Sequence, residues 1–428
     1  MLGIRYLRPQ QPGSLQDPAS PHQMDQNDPE QNTRAFLVSL GELLHAHGAP
    51  AMRLEEALSD CCDKLGVVGQ FFSTPTALLF GFGAGAHQRV HMTRVEPADV
   101  DLGRLADLDI VIGGITSGTM DASQGLQRVQ EIKDSPRRYP RWTLIPAFGL
   151  AAGTAACFFR GTPLDIWVSC LAGALIGALA ILVGSRRRAV LVFETVAAAL
   201  SALIGTATAM VWPEATRGVI TVSGLIVLVP GLTLTVALSE LANRHLVAGT
   251  ARLAWAAMIF LSIALGVGIG RELGSTIPFS GPAMNFGSVP QWGTPLALLL
   301  SPIAFAVLFR ARRRDLLWVL LAGWIGFGGA RLGAHLVGPH QGVFIGALAV
   351  GLASNIFARV KHLPASLMQV PGIMLLVPGS IGFRSMNSFL TRDVLLGMES
   401  AFEMAQVAGG LVGGLLFANA LLRPSRSL

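Results

Sequence analysis

The order of apolar and polar positions divides the chain into three stretches. Residues 1–32 carry few large apolar side chains and much Gln, Pro, Asp and Asn, too little to bury to offset the entropy of ordering, and are expected as a disordered tail. From Thr33 apolar residues recur at spacings of three and four: Phe36, Leu37, Leu40, Leu43 and Leu44, closed by Gly48, then Leu54, Ala57, Leu58 and Leu65, closed by Gly66. That spacing predicts two amphipathic helices ending at glycines. Short β-like runs follow at 67–72, 77–82 and 89–95, parted by Pro75, Gly83 and Gly85, and helical spacing returns at 102–111 and 122–132. Residues 33–141 are thus expected to form one small α+β domain.

Beyond Arg141 the polar positions thin out into apolar runs. About twenty helical residues cross about 30 Å of hydrocarbon. Ten runs read as spans: 142–159, 164–183, 190–211, 219–238, 254–270, 295–309, 316–332, 342–357, 366–383 and 402–422, the sixth and eighth being short. A shift of 148 residues lays Leu228-Val229-Pro230-Gly231 on Leu376-Val377-Pro378-Gly379, Arg244 on Arg392 and Gly249 on Gly397, and brings each of the first five runs close to one of the second five. The expected fold class is therefore a polytopic α-helical membrane protein. Its ten transmembrane helices form two five-helix repeats, 142–270 and 271–428, behind the small α+β domain.

Composition supports the membrane assignment. Hydrophobic residues make up 51% of the chain and charged ones 14%, whereas a soluble globule has about a quarter charged, so much of the surface must face lipid. The net charge of +6 hides an asymmetry: residues 1–141 hold 17 Asp and Glu against 13 Lys and Arg, while residues 142–428 hold 9 against 19. The excess is arginine placed between the apolar runs, at Arg137, Arg138 and Arg141, Arg186 to Arg188, Arg244 and Arg252, Arg310 to Arg314, Arg359 with Lys361, and Arg423 with Arg426. These fall on alternate connections, which marks topology and excludes a nucleic-acid partner. By the positive-inside rule both termini and the α+β domain are cytoplasmic, in an inner or plasma membrane. Five spans per repeat is odd, so the repeats are expected to be inverted, with a site between them near the bilayer midplane.

The residues able to carry chemistry are few. Pro230-Gly231 and Pro378-Gly379 lie inside apolar runs, where proline removes a backbone donor and glycine accepts the resulting backbone, so both helices are expected to break and to offer half-helix ends to a solute. Thr233 and Thr235 beside the first break, and Ser380 and Asn387 beside the second, supply polar groups for a small zwitterion. Glu194, expected two turns into the third span, Glu240 at the end of the fourth and Glu403 at the start of the tenth are carboxylates costly to keep in lipid, and are the candidates for proton coupling. Asn355 and Gln406 are expected to join helices. In the α+β domain His45, His47, His87, His91 and Glu42 match no metal-ligand spacing, and glycine-rich 81–85 lacks a phosphate loop's Gly-Lys-Ser/Thr. Neither metal nor cofactor is expected.

The run Gly48-Ala-Pro-Ala-Met-Arg53-Leu-Glu55-Glu-Ala-Leu, then Leu65-Gly66, Ser73-Thr-Pro75-Thr76, the 111–114 stretch and ten spans carrying paired Leu-Val-Pro-Gly resemble the threonine/serine exporter family, from about Thr33 to Leu422. The resemblance implies export of threonine and serine driven by the proton gradient. It also implies a soluble motif at Gly48, Arg53, Glu55, Pro75 and Thr76, beside His47, that has been likened to a hydrolase. The expected partners are a small amino acid, protons and the lipid bilayer, with a homo-oligomer as a further option. The alternative, from another class, is a membrane-tethered hydrolase in which His47 and Glu55 or Glu56 form an acid/base pair.

Overall fold

The computed structural model describes residues 29–96, 99–184, 187–276, 293–338, 341–377, 379, 381 and 394–423, without the side chains of Pro29, Arg187, Arg188, Val394 and Leu396. Helix α1 (Pro29–Ala46) begins inside the stretch expected as tail, because proline is preset for a first helical turn and Glu30 suits the helix N-terminus, where it also pairs with Arg34 one turn on. Its stripe of Phe36, Leu37, Leu40 and Leu44 is fully buried. The helix closes with a Schellman motif: the Gly48 N–H reaches the His45 carbonyl at 3.0 Å and the Ala49 N–H the Leu44 carbonyl at 3.1 Å. This needs the left-handed backbone that Gly48 adopts, φ 82°.

α2 (Ala51–Leu65) leads into an antiparallel sheet of order β1-β2-β3, with β1 (Gly69–Ser73), β2 (Ala77–Phe82) and β3 (Arg89–Arg94). Phe71 faces Phe80 across β1 and β2, and Phe80 faces His91 across β2 and β3. α3 (Leu102–Ser117) and α4 (Ala122–Asp134) complete the layer, α4 entered through a capping box between Asp121 and Gln124. Phe36, Leu58, Phe80, Leu108 and Val129 bring all four helices and the sheet into one core.

The apolar runs fold into α5 (Leu144–Phe158), α6 (Pro163–Val183), the single turn α7 (Arg187–Val190), α8 (Phe193–Val211), α9 (Arg217–Gly224), α10 (Gly231–Ala242) and α11 (Leu246–Ser275). After them come α12 (Gly293–Leu308), α13 (Leu316–Val337), α14 (Gly342–Lys361), α15 (Ser366–Met374) and α16 (Val394–Leu421). Among the described residues six helices are long and apolar enough to cross a membrane, in α6, α8, α11, α13, α14 and α16. Shorter apolar helices, α10 and α12 among them, fill other expected runs.

The helices cross on small residues. A Cβ on Gly266 of α11 would lie 2.2 Å from the Thr195 carbonyl oxygen of α8, and one on Gly414 of α16 would lie 2.4 Å from the Phe344 oxygen of α14. A Cβ on Gly173 of α6 would meet the Ala152 Cβ of α5 at 2.6 Å, and one on Gly323 of α13 would meet the Pro302 Cγ of α12 at 3.0 Å. Such close crossings replace the hydrophobic drive that lipid does not supply. The pairs α5 with α6, α8 with α11, α12 with α13 and α14 with α16 thus each approach on glycine. Asn355 joins α14 to α16, donating to Asn419 Oδ1 at 2.9 Å and to the Leu422 carbonyl at 2.7 Å.

The α/β layer sits on one end of the helices. Leu102 and Ala106 of α3 are buried with Ala311, Val319, Phe357 and Leu367. The Leu102 N–H donates to the Phe309 carbonyl at 2.9 Å, the Tyr139 hydroxyl to the Ala311 carbonyl at 2.9 Å, and Arg310 faces Asp101 at 3.5 Å. Buried Arg312 pairs with Asp315 at 2.5 Å and Asp107 at 3.5 Å, so desolvation of the guanidinium is offset by two carboxylates.

Gly48→Ala should destabilise the protein by more than about 1 kcal/mol, since the left-handed backbone itself costs about that much for a residue with a Cβ and the Val100 Cα would lie 2.9 Å from the new atom. Gly85→Ala is the comparison, with φ 61° but nothing within 4 Å. Thermal melts of the two variants should separate the contact from the conformational cost, and equal losses would remove it.

Candidate functional site

The first Pro-Gly pair does interrupt its run. After α9 the chain turns, with the Leu228 N–H on the Leu225 carbonyl at 2.8 Å and the Gly231 N–H on the Val229 carbonyl at 2.8 Å, and α10 starts at Gly231. Gly231 and Gly379 face one another: a Cβ on either would lie 3.5 Å from the Cα of the other. The contacts around them are reciprocal. The Cβ position of Gly231 meets the Val377 Cγ1 at 2.1 Å, and that of Gly379 meets the Val229 Cγ1 at 2.7 Å. Contact of i with j′ and of i′ with j is what a two-fold axis between like segments produces.

Around this crossing Thr235 is buried and its hydroxyl donates back to the Gly231 carbonyl at 3.1 Å, while Thr233 is half-buried within the first turn of α10. Pro378, Ser380 and Asn387 lie outside the described residues. Glu194 is in the first turn of α8 and not two turns deep, because 187–192 form a separate turn of helix and the span starts at Phe193. Its charge there suits the helix N-terminus. Glu403 is half-buried well inside α16, whose first turn begins at Val394, and α16 packs against α10.

Glu240 lies at the other end of α10 and is 2% exposed. Its Oε1 accepts the backbone N–H of Ala51 at 3.0 Å, and both oxygens approach the Arg252 Nε of α11, at 3.2 and 3.0 Å. Ala51 opens α2, whose cap position is Pro50 with no side-chain hydrogen bond. The helix therefore receives its N-terminal carboxylate from a residue 189 positions away. Beside it, Glu55 of α2 accepts the Ser73 N–H at 2.7 Å and faces His245 Nδ1 at 3.6 Å. Burial pushes the Glu55 carboxyl up, against the pull of the Ser73 hydrogen bond and of His245. His45 is buried behind them; desolvation, helped by Arg252, takes it down to about 4, although the Thr74 and Pro75 carbonyls work the other way.

The soluble motif thus gathers at this junction. Gly48 turns the chain into α2, Glu55 reaches β1, and buried Pro75 lies beside His45, whereas Thr76 is exposed and serves through its carbonyl, which accepts the Val95 N–H at 3.1 Å. Arg53 pairs with Glu56 at 3.3 Å. His47 faces Arg104 at 3.4 Å. No group of three His, Cys, Asp or Glu is placed to hold a metal among the described residues. His245 and Arg252 were not singled out from the sequence; the signal for them was Pro50, a poor cap that leaves a helix N-terminus to be satisfied from elsewhere.

Six apolar helices long enough to span lipid, with shorter apolar helices between them and an α/β layer on one end, define a polytopic membrane protein. Residues 35–274 match the family described as "Putative threonine/serine exporter", and residues 296–421 the one described as "Threonine/Serine exporter, ThrE". The chain belongs to the threonine/serine exporter family of membrane transporters. A Mycobacterium tuberculosis protein named "Probable threonine/serine exporter" is 26% identical over 353 residues, covering 78% of this chain and 65% of that protein. Proteins named "Pheromone-regulated membrane protein 10" are similar too: that of Candida albicans is 24% identical over 406 residues (89% of this chain, 35% of that protein), and that of Yarrowia lipolytica 25% over 362 (81% and 30%). The chain spans about a third of the length of these fungal relatives. No solved structure matches it.

Two outcomes follow from this geometry. Gly231→Ala should overpack the crossing and cost about 1–3 kcal/mol in detergent melts, with recovery when Val377→Ala is added, whereas Gly268→Ala, with nothing within 4 Å, should be silent. Absence of recovery in the double variant would dissociate the two residues. Because the folded pKa of His45 is below its unfolded value of 6.5, the unfolded chain takes up the proton first, and stability falls as pH drops from 6.5 toward 4. By pH 5 the loss from this residue is about 2 kcal/mol, and His45→Gln should flatten that part of a melt-versus-pH curve.

Proposed function

We propose that the chain is a secondary transporter that exports a small hydroxy amino acid, threonine or serine, from the cytoplasm in exchange for protons. The reciprocal packing of Gly231 on Val377 and of Gly379 on Val229 carries the reading, since paired helix breaks meeting between two halves make a site where backbone ends face a solute. The N-terminal end of α10, with its N–H groups and dipole, suits the substrate carboxylate, and Thr233 lies in the same first turn for the substrate hydroxyl.

In this reading the long apolar helices, the broken α9–α10 pair, α15 with the segment after it, and α5 and α12 make ten crossings in two inverted repeats, 142–270 and 271–428. The recurrence of the glycine crossings at Gly173 and Gly323 and at Gly266 and Gly414 supports it. The layer up to Arg141 is then a cytoplasmic domain in an inner or plasma membrane protein. The arginines of 310–314, on the end that carries this layer, agree with a cytoplasmic side there, and the basic pair of Arg359 and Arg423, joined at 2.7 Å, supports the same side for the described C-terminal end. Glu403, on the helix that packs against α10, is the carboxylate best placed to exchange a proton in step with the substrate, ahead of Glu194 at a helix end and Glu240 in an ion pair.

Proteoliposomes loaded with labelled threonine test the reading. Efflux should exceed that from protein-free vesicles, speed up when the outside is made acidic, and lose that acceleration on adding a protonophore. Efflux at the protein-free level under both conditions would dismiss threonine and coupling together, and Glu403→Gln should remove the acceleration while leaving exchange of threonine for threonine.

A further inference from the structure

The α/β layer touches both halves of the helical region, and it does so in two different ways. On the second half the contact has an apolar and main-chain centre, with the Arg310–Asp101 and Arg312–Asp107 pairs beside it: Leu102 and Ala106 are buried among α12–α15 side chains, and the Leu102 N–H and Tyr139 hydroxyl bind carbonyls of the α12–α13 turn. A Cβ on Gly103 would lie 2.7 Å from the Arg310 oxygen, so backbone approaches backbone there. On the first half the contact is charged. Glu240 caps α2 at Ala51 and pairs with Arg252, and Glu55 faces His245. Glu240 and Gly231 are the two ends of one short helix, since α10 runs from the break to this junction.

If the halves move against each other, one of the two contacts has to yield. Separating the apolar one would expose buried Leu102, Val319, Phe357 and Leu367 to water. Separating the charged one exchanges the Ala51–Glu240 hydrogen bond and the Glu55–His245 contact for water, which solvates carboxylates and imidazoles well, while the Glu240–Arg252 pair stays whole within its half. The weaker seam therefore lies along Glu240, Glu55, His245 and Arg252, with buried His45 behind it.

We propose that this seam is a latch: while Glu240 caps α2, the soluble layer holds α10 in one position, and opening of the cap frees α10 to swing about Pro230. Glu240 is then a positioning residue for transport, acting on the break through the length of α10, and the soluble layer is the gate. The inference rests on the transport reading for what is moved, whereas the latch itself rests on the junction.

The test uses the full chain with Cys61, Cys62, Cys157 and Cys170 replaced by serine, and with the substitutions Glu55→Cys and His245→Cys. A short bifunctional thiosulfonate reagent bridges the seam, and dithiothreitol releases it. The comparison is of one protein before and after bridging. Threonine efflux should fall at least about tenfold on bridging and return on reduction, the size expected when a gating step is blocked. Efflux within about twofold of the unbridged level, with the bridge verified in the isolated peptide, would overturn the latch. A second arm needs no cargo. With Thr233→Cys as the only thiol, labelling by a maleimide from the soluble side should change at least about fivefold when Glu240→Ala is added, and less with Glu240→Gln, which keeps an oxygen for the Ala51 N–H. An unchanged rate in Glu240→Ala also overturns it. Absence of threonine efflux in every form, with the labelling change present, sinks the cargo and leaves the latch standing.

Discussion

A helix that breaks inside hydrocarbon leaves backbone groups that water cannot reach, and everything distinctive about this structure follows from how that debt is covered. In the first half the turn residues bind one another between Leu225 and Gly231, and Thr235 returns its hydroxyl to the Gly231 carbonyl. What closes over the break is the other break. Val377 fills the space above Gly231, and Val229 the space above Gly379. Glycine crossings stand on each side of these contacts, α5 on α6 and α8 on α11 on one, α12 on α13 and α14 on α16 on the other.

The soluble layer is tied into this arrangement by a deficiency. Proline at a cap position offers no side-chain acceptor, and α2 would begin with its N–H groups unanswered. Glu240 answers one of them from a helix that leads straight to the break, and Arg252 keeps the carboxylate company. An exposed carboxylate at a helix N-terminus contributes a fraction of a kcal/mol, a partly buried one up to about 2. That is enough to set a position and small enough to be undone in a working cycle. The apolar seat of α3 on α12–α15 has no such reversibility.

Local order was legible because it is written in short-range pattern. The strands at 77–82 and from residue 89 stand where alternation and glycines put them, and α2 and α4 follow their apolar spacing. The Pro230-Gly231 interruption was legible because proline's lost donor is a property of the residue itself. Depth along a span was not: Glu194 looked two turns inside because hydropathy cannot see that residues 187–192 form a turn of their own. Residues 29–32 looked like tail because their polarity outweighs a good first-turn proline. The junction was invisible for a different reason. Its members, Glu55, Glu240, His245 and Arg252, come from distant helices, Glu240 lying 189 positions from the Ala51 it caps, and nothing in a linear pattern says that a carboxylate at the end of one helix will cap the start of another.

The glycine crossings have a mechanical meaning. Where Gly266 and Gly270 rest on the Thr195 and Ala199 carbonyls, and Gly414 on Phe344, there is no layer of side chains to shear between the helices. Each pair, α8 with α11 and α14 with α16, behaves as a stiff plank, and elastic strain gathers in the thin joints between planks. Compliance in this molecule is therefore concentrated in a few turns, and a thicker or stiffer bilayer pressing on the planks delivers its load to the same short stretches around Pro230.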